Sequence, residues 1–142
     1  MGYTGNTYTD MPINHKVFLA QFDAIKKIAD EGPCILVGRC ADYALESYDN
    51  VLSVFIHADL DARIRRIARI YDLPDNKAKD TIIKTDKKRA SYYNYYTNKR
   101  WSDAESYELC LNSAALGIEG TAKIIEQYIA LKESIPSGQV KI

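Results

Sequence analysis

Apolar residues first fall into step at Asn14, a good helix cap, after which Phe18, Phe22, Ile25 and Ala29 recur at helical spacing until Gly32 and Pro33 stop the pattern. The unbroken run Cys34-Ile35-Leu36-Val37 follows and ends at Gly38, the signature of a strand covered on both faces. Val51 to Ile56 repeats that signature. Leu60 to Tyr71 then places Ile64, Ile67, Ala68 and Tyr71 on one helical face. Pro74 and Asp75 open a long polar helix reaching about Tyr96, and Tyr107 to Leu111 is a third strand candidate. A last helix from Ile118 to about Lys132 carries the stripe Ile118, Ala122, Ile125 and Ile129. Helices alternating with apolar strands predict an α/β domain with a parallel sheet. Residues 1–12 lack periodicity and are expected to form an irregular arm, residues 13–133 the domain, and residues 134–142 a frayed tail.

At 142 residues the chain is long enough to bury a core, and lysine plus arginine balances aspartate plus glutamate at nineteen each. No overall field draws it to nucleic acid or an anionic membrane, so any bound anion must meet a local cluster. Cys34, Cys40 and Cys110 have no metal-type spacing, and two of them sit inside apolar runs where a thiol behaves as a small hydrophobe, which favours a reducing compartment. With no spanning apolar stretch and no leader-like start, the expected location is the cytoplasm.

Gly38-Arg39-Cys40-Ala41-Asp42 stands after the first strand candidate, where open α/β sheets place ligands. A guanidinium there matches a phosphate with two parallel hydrogen bonds; a solvated arginine paired with Asp42 is the plainer alternative. Arg63, Arg65, Arg66 and Arg69 crowd the next helix, Arg63 and Arg66 sharing one face. They form either a solvated basic face balanced by Asp59 and Asp61 or part of an anion site. In the long helix Ile82, Asp86, Arg89 and Tyr93 fall on one stripe, with Asp86 and Arg89 either paired one turn apart or turned to a substrate. The aromatic segment Ser91 to Trp101 suits a lid or an interface; its neutral setting argues against stacked single-stranded nucleic acid. No Gly-x-x-x-x-Gly-Lys-Ser/Thr loop occurs, and there is no Cys/His zinc cluster or serine triad signature. His15 and His57 are read as structural, His57 being the one that a strand end could bring to a site.

Pro33-Cys-Ile-Leu-Val-Gly-Arg-Cys-Ala-Asp-Tyr43, Asp86-Lys-Lys-Arg-Ala90, Tyr95-Tyr96, Trp101, Asp103 and Tyr107-x-Leu109-Cys110-Leu111-Asn112-Ser113 together resemble the cytidylate kinase-like family. The likeness runs from Pro12 to Lys132. It implies a parallel three-layer sheet of P-loop nucleoside kinase type with strands near 34–37, 51–56 and 107–111, N-terminally truncated because the family's first strand and phosphate loop have no counterpart. It also implies phosphoryl transfer from ATP, with Mg²⁺, to a nucleoside monophosphate such as CMP, and a lid over about 74–106. By position, Arg63, Arg66 and Arg89 correspond to catalytic arginines, and Arg39, Asp42 and Asp86 to acceptor-binding residues; no metal ligand is assigned. In the family's strand order the absent strand lies between the runs at Cys34 and Val51. The alternative is a non-catalytic nucleotide- or anion-binding module, or a partner module that completes another chain, and a homo-oligomer or a strand-completing partner is expected.

Overall fold

In the computed structural model, residues 7–136 are described, with side chains from His15 onward. The chain divides into two compact units, the first ending at Val51 and the second beginning at Leu52.

The first unit holds helix α1 (Thr7–Glu31) and the single-turn helix α2 (Ala41–Ala44). Helix α1 begins seven residues before the expected cap at Asn14, so residues 7–12 of the expected irregular arm are helical; Met1 to Asn6 lie outside the described residues. Pro12 lacks an N–H and so omits one intrahelical bond, which does not end a helix of 25 residues. The predicted stripe faces inward. Phe18 and Ile25 are buried, and Ile25 joins Ala41, Ala44 and Leu45 in a core that Phe22, Ala29, Leu36, Tyr48 and Val51 flank. Phe22 touches Phe18 and Tyr43, and Lys26 lies over its ring at 4.6 Å. The Tyr48 hydroxyl donates to Asp30 at 2.8 Å, tying the end of the unit back to α1.

Cys34 to Val37 is not a strand. The segment has no regular secondary structure and, among the described residues, no hydrogen bond joins it to a neighbour. Only Leu36 packs on the core, whereas Ile35 and Val37 are 93% and 88% exposed. An apolar run gives a backbone the right side chains for a buried sheet, but a ladder also needs a partner strand, and none is described here.

The second unit contains β1 (Val54–His57), α3 (Leu60–Tyr71), α4 (Asp75–Thr97), β2 (Leu109–Asn112) and α5 (Ser113–Ser134). Strands β1 and β2 pair in parallel, with Phe55 opposite Cys110 and His57 opposite Asn112. The sheet among the described residues thus has two strands rather than the three expected, both shifted slightly towards the carboxyl end. The fold is mixed α/β and mostly helical. Helix α3 begins and ends where the sequence places it: Asp59 caps it by accepting from the Ala62 amide at 2.8 Å, and Asp72 closes it in the left-handed conformation. Helix α4 buries Ala78, Ile82, Tyr93 and Thr97.

Helix α5 is broken at Gly117, whose φ of 71° and ψ of −178° separate a first turn from the long helix at Ile118, the predicted start. Its expected inward stripe turns out differently. Ile118 is 63% exposed and Ala122 and Ile129 are also exposed, whereas the covered side runs through Thr121, Ile124, Ile125 and Tyr128. Tyr128 and Lys132 both reach Glu108 just before β2, so the helix is anchored on that side, and a two-stranded sheet covers only part of its circumference. Burial, aided by Glu108, raises the Tyr128 phenol above its ordinary pKa.

Candidate functional site: an arginine hairpin beside an aromatic cleft

Helices α3 and α4 are joined by only three residues and pack on each other as a helical hairpin. Arg63 and Asp86 lie about ten residues either side of that turn, and Arg63 Nη2 donates to Asp86 Oδ1 at 2.7 Å. Both side chains are half-buried, at 32% and 26% exposure. Asp86 therefore pairs across the hairpin rather than with Arg89 one turn along its own helix. The pair fixes the guanidinium plane of Arg63, which keeps further N–H donors for an anion.

Because the helices run in opposite directions, a step of one turn on each leads away from the Arg63–Asp86 pair in opposite senses. Arg66 lies towards the hairpin turn and Arg89 towards the start of α3 and the end of β1, roughly 9 Å apart along the axis at 1.5 Å per residue. Both are exposed, and among the described residues no carboxylate pairs with either. Arg89 thus presents positive charge near the carboxyl end of a parallel strand, beside the charge-balanced Arg63–Asp86 pair, and Arg66 stands a turn or more away from Arg89.

Arg39 and Asp42 belong to the first unit. Arg39 and Cys40 both have positive φ, 57° and 56°, and this left-handed pair turns the chain from Gly38 into α2, where the Ala41 amide donates to the Gly38 carbonyl at 3.2 Å. Arg39 is exposed and Asp42 half-buried. Cys40 is buried, and that burial, with the charge of Asp42 second, pushes its thiol up to about 11. It is a packing residue, as its place in an apolar setting suggests.

The stripe of α4 that holds Asp86 and Arg89 continues to Tyr93, which leads into a cluster of rings. Tyr93 stacks on Tyr107 at 5.9 Å, Tyr107 on Phe55 at 4.9 Å, Phe55 lies 6.3 Å from His57, and Trp101 meets Phe55 edge-on at 5.4 Å. In front of these rings opens a cleft of about 310 Å³ lined by Phe55, His57, Ser102, Ala104 and Cys110. The intervening loop is pinned by the Trp101 amide donating to Asn94 Oδ1, by the Ser106 hydroxyl donating to the Arg100 carbonyl, and by Asp103 capping a 3₁₀ turn at Ala104–Ser106. Sequence reasoning singled out His57 but missed Phe55, Ser102, Ala104 and Cys110. Period-two alternation was the available signal, since it puts Phe55 and His57 on one face of β1; the neighbouring Cys110 required the register of a pairing that sequence does not give.

Similarity to known proteins agrees with the resemblance. The profile of the cytidylate kinase-like family matches residues 1–115. A cytidylate kinase from Methanococcus aeolicus is 28% identical over 122 residues, which covers 84% of this chain and 66% of that protein. The crystal structure of an uncharacterised protein from Eubacterium ventriosum superposes with a TM-score of 0.78 at 28% identity, covering 80% of this chain and 65% of the other. The chain therefore spans just under two thirds of the length of both relatives.

Proposed function

Since the chain belongs to the cytidylate kinase-like family, we propose that it binds a nucleoside monophosphate of the CMP class through the arginines of the α3–α4 hairpin, as the acceptor and lid portion of a phosphoryl-transfer site. The observation that carries this reading is the half-buried Arg63–Asp86 pair, which holds one guanidinium in a fixed orientation one turn from the free Arg89. In phosphoryl transfer such cations act by positioning and by stabilising spread negative charge. Arg63 and Arg89 hold the phosphate of the acceptor, Asp86 orients Arg63, and Arg66 extends the positive surface towards the hairpin turn. The parts assigned to Arg39 and Asp42 are acceptor contacts and rest on the resemblance alone.

The family's ATP is not assigned to residues of this chain, whose 142 residues contain no phosphate-cradling Gly-Lys-Ser/Thr loop. Mg²⁺, which such sites hold largely through the nucleotide's phosphates, is not assigned either. No transfer step is assigned to the chain by itself. Calorimetry with CMP and with ATP, and ADP release with both together, test the reading. Binding of CMP without ATP, and no turnover above background, is the expected pattern; failure to bind CMP overturns it.

A second reading is favoured by Ile35 and Val37, which stand almost wholly exposed on a segment that pairs with no strand among the described residues. It makes the chain a module whose apolar edge pairs with a strand of another polypeptide or of a second copy. Light scattering that finds a monomer unaltered by Ile35→Lys with Val37→Lys removes the second-copy form of this reading.

A further inference from the structure

We infer that helix α5 carries a docking face for one amphipathic helix of another polypeptide, apolar on its contact side and flanked there by lysine or arginine at seven-residue spacing. After the break at Gly117, Ile118, Ala122, Ile125 and Ile129 follow one another at i, i+4, i+7 and i+11, the spacing of a helix–helix seam. Among the described residues the sheet covers one border of that seam. Ile125 is half-buried beside Thr121 and Tyr128, whereas Ile118 is 63% and Ile129 39% exposed, with Ala122 exposed between them. Ala122, small and in mid-seam, lets a second helix axis come close. The stretch from Ile118 to Glu133 is about 23 Å long at 1.5 Å per residue, which matches a single helix of about four turns.

Charge names the chemistry of the occupant. Glu119, Glu126 and Glu133 recur every seven residues along the open border of the seam; all three are exposed, and among the described residues none is paired with a cation. Two copies of α5 laid antiparallel would set Glu126 against Glu126 and Glu119 against Glu133, a like-charge array that disfavours self-pairing. Parallel copies would bring the open border of one against the border that the sheet closes on the other. A basic flank instead meets each carboxylate with a cation. The face lies wholly in the second unit and is independent of the hairpin arginines and of Ile35 and Val37.

The test titrates the full chain into two fluorescent synthetic helices of about three heptads with leucine at the seam positions, one flanked by lysine and the other by glutamate, read by anisotropy. A scrambled peptide of the lysine composition is the control. The lysine-flanked helix is expected to bind saturably and at least tenfold more tightly than the other two peptides. Ile118→Ser with Ile129→Ser is expected to weaken that binding at least tenfold, and Glu119→Lys, Glu126→Lys and Glu133→Lys together to reverse the preference between the two helices. All five side chains are exposed, so both variants keep the fold, which circular dichroism checks. Equal affinity for the two helices, equally tight binding of the scrambled peptide, no binding of either helix, or a preference that survives the charge reversal overturns the proposal. Light scattering that finds a wild-type dimer dissolved by the two serines gives the face to a second copy and overturns it as well.

Discussion

Breaking the Arg63–Asp86 pair perturbs the hairpin at the point where structure and proposed chemistry coincide. Two unit charges about 4 Å apart at an effective dielectric constant of about 20 attract by about 4 kcal/mol, which is an upper bound. Each side chain here keeps roughly a quarter to a third of its exposure, so solvent screening and the cost of drawing both ions from water reduce the net coupling to about 1–2 kcal/mol. Arg63→Gln, Asp86→Asn and the double variant form a cycle that isolates this number. Urea unfolding followed by Trp101 emission is the suitable assay, because Trp101 lies in the same unit as the pair. Asp86→Asn is expected to cost more than the coupling itself, since it leaves a half-buried guanidinium short of its carboxylate. A coupling energy below about 0.3 kcal/mol would refute the argument, because the pair would then be no more than a surface contact.

Other consequences follow from single residues. Gly117→Ala places a side chain at φ 71° and is expected to cost about 1–2 kcal/mol of stability in urea, although a Cβ there meets open space. Gly120→Ala is instead expected to act sterically, since its Cβ would come within 2.7 Å of Leu116 Cβ. The Cys40 thiol is raised from 9.0 to about 11, so the stability it contributes is fully present below about pH 9 and is lost as pH rises through about 11. The loss is on the order of 1–3 kcal/mol, and Cys40→Ala should flatten the alkaline limb of an unfolding curve followed by circular dichroism. A disulfide reagent at pH 8 should label exposed Cys34 promptly and buried Cys40 slowly; equal rates would contradict the burial.

What the sequence made legible follows from which signals are local. Helix α3 was readable to the residue because Asp59, the Ile64–Ile67–Ala68 face and Asp72 each act within a turn. The break before Ile118 was likewise marked by Gly117. Cys34 to Val37 misled for the opposite reason: its side chains suit a buried strand, but a strand is a relation between two segments, and composition does not reveal whether the second is there. The stripe on α5 was real in sequence yet mostly exposed in space, because among the described residues a two-stranded sheet covers only part of the helix, on the side of Thr121 and Tyr128. At the site, the Asp86 and Arg89 stripe was visible, whereas the Arg63–Asp86 partnership depends on how two helices face each other. The cleft needed still more, namely strand register together with the path of the 99–107 loop.

The hairpin guanidiniums as a phosphate site are tested most directly by calorimetric titration of CMP into the wild type, Arg89→Gln and Lys123→Gln, the last a charge control outside the hairpin. Saturable binding that weakens at least tenfold in Arg89→Gln and stays unchanged in Lys123→Gln is the predicted result. Equal affinity across all three proteins would contradict it.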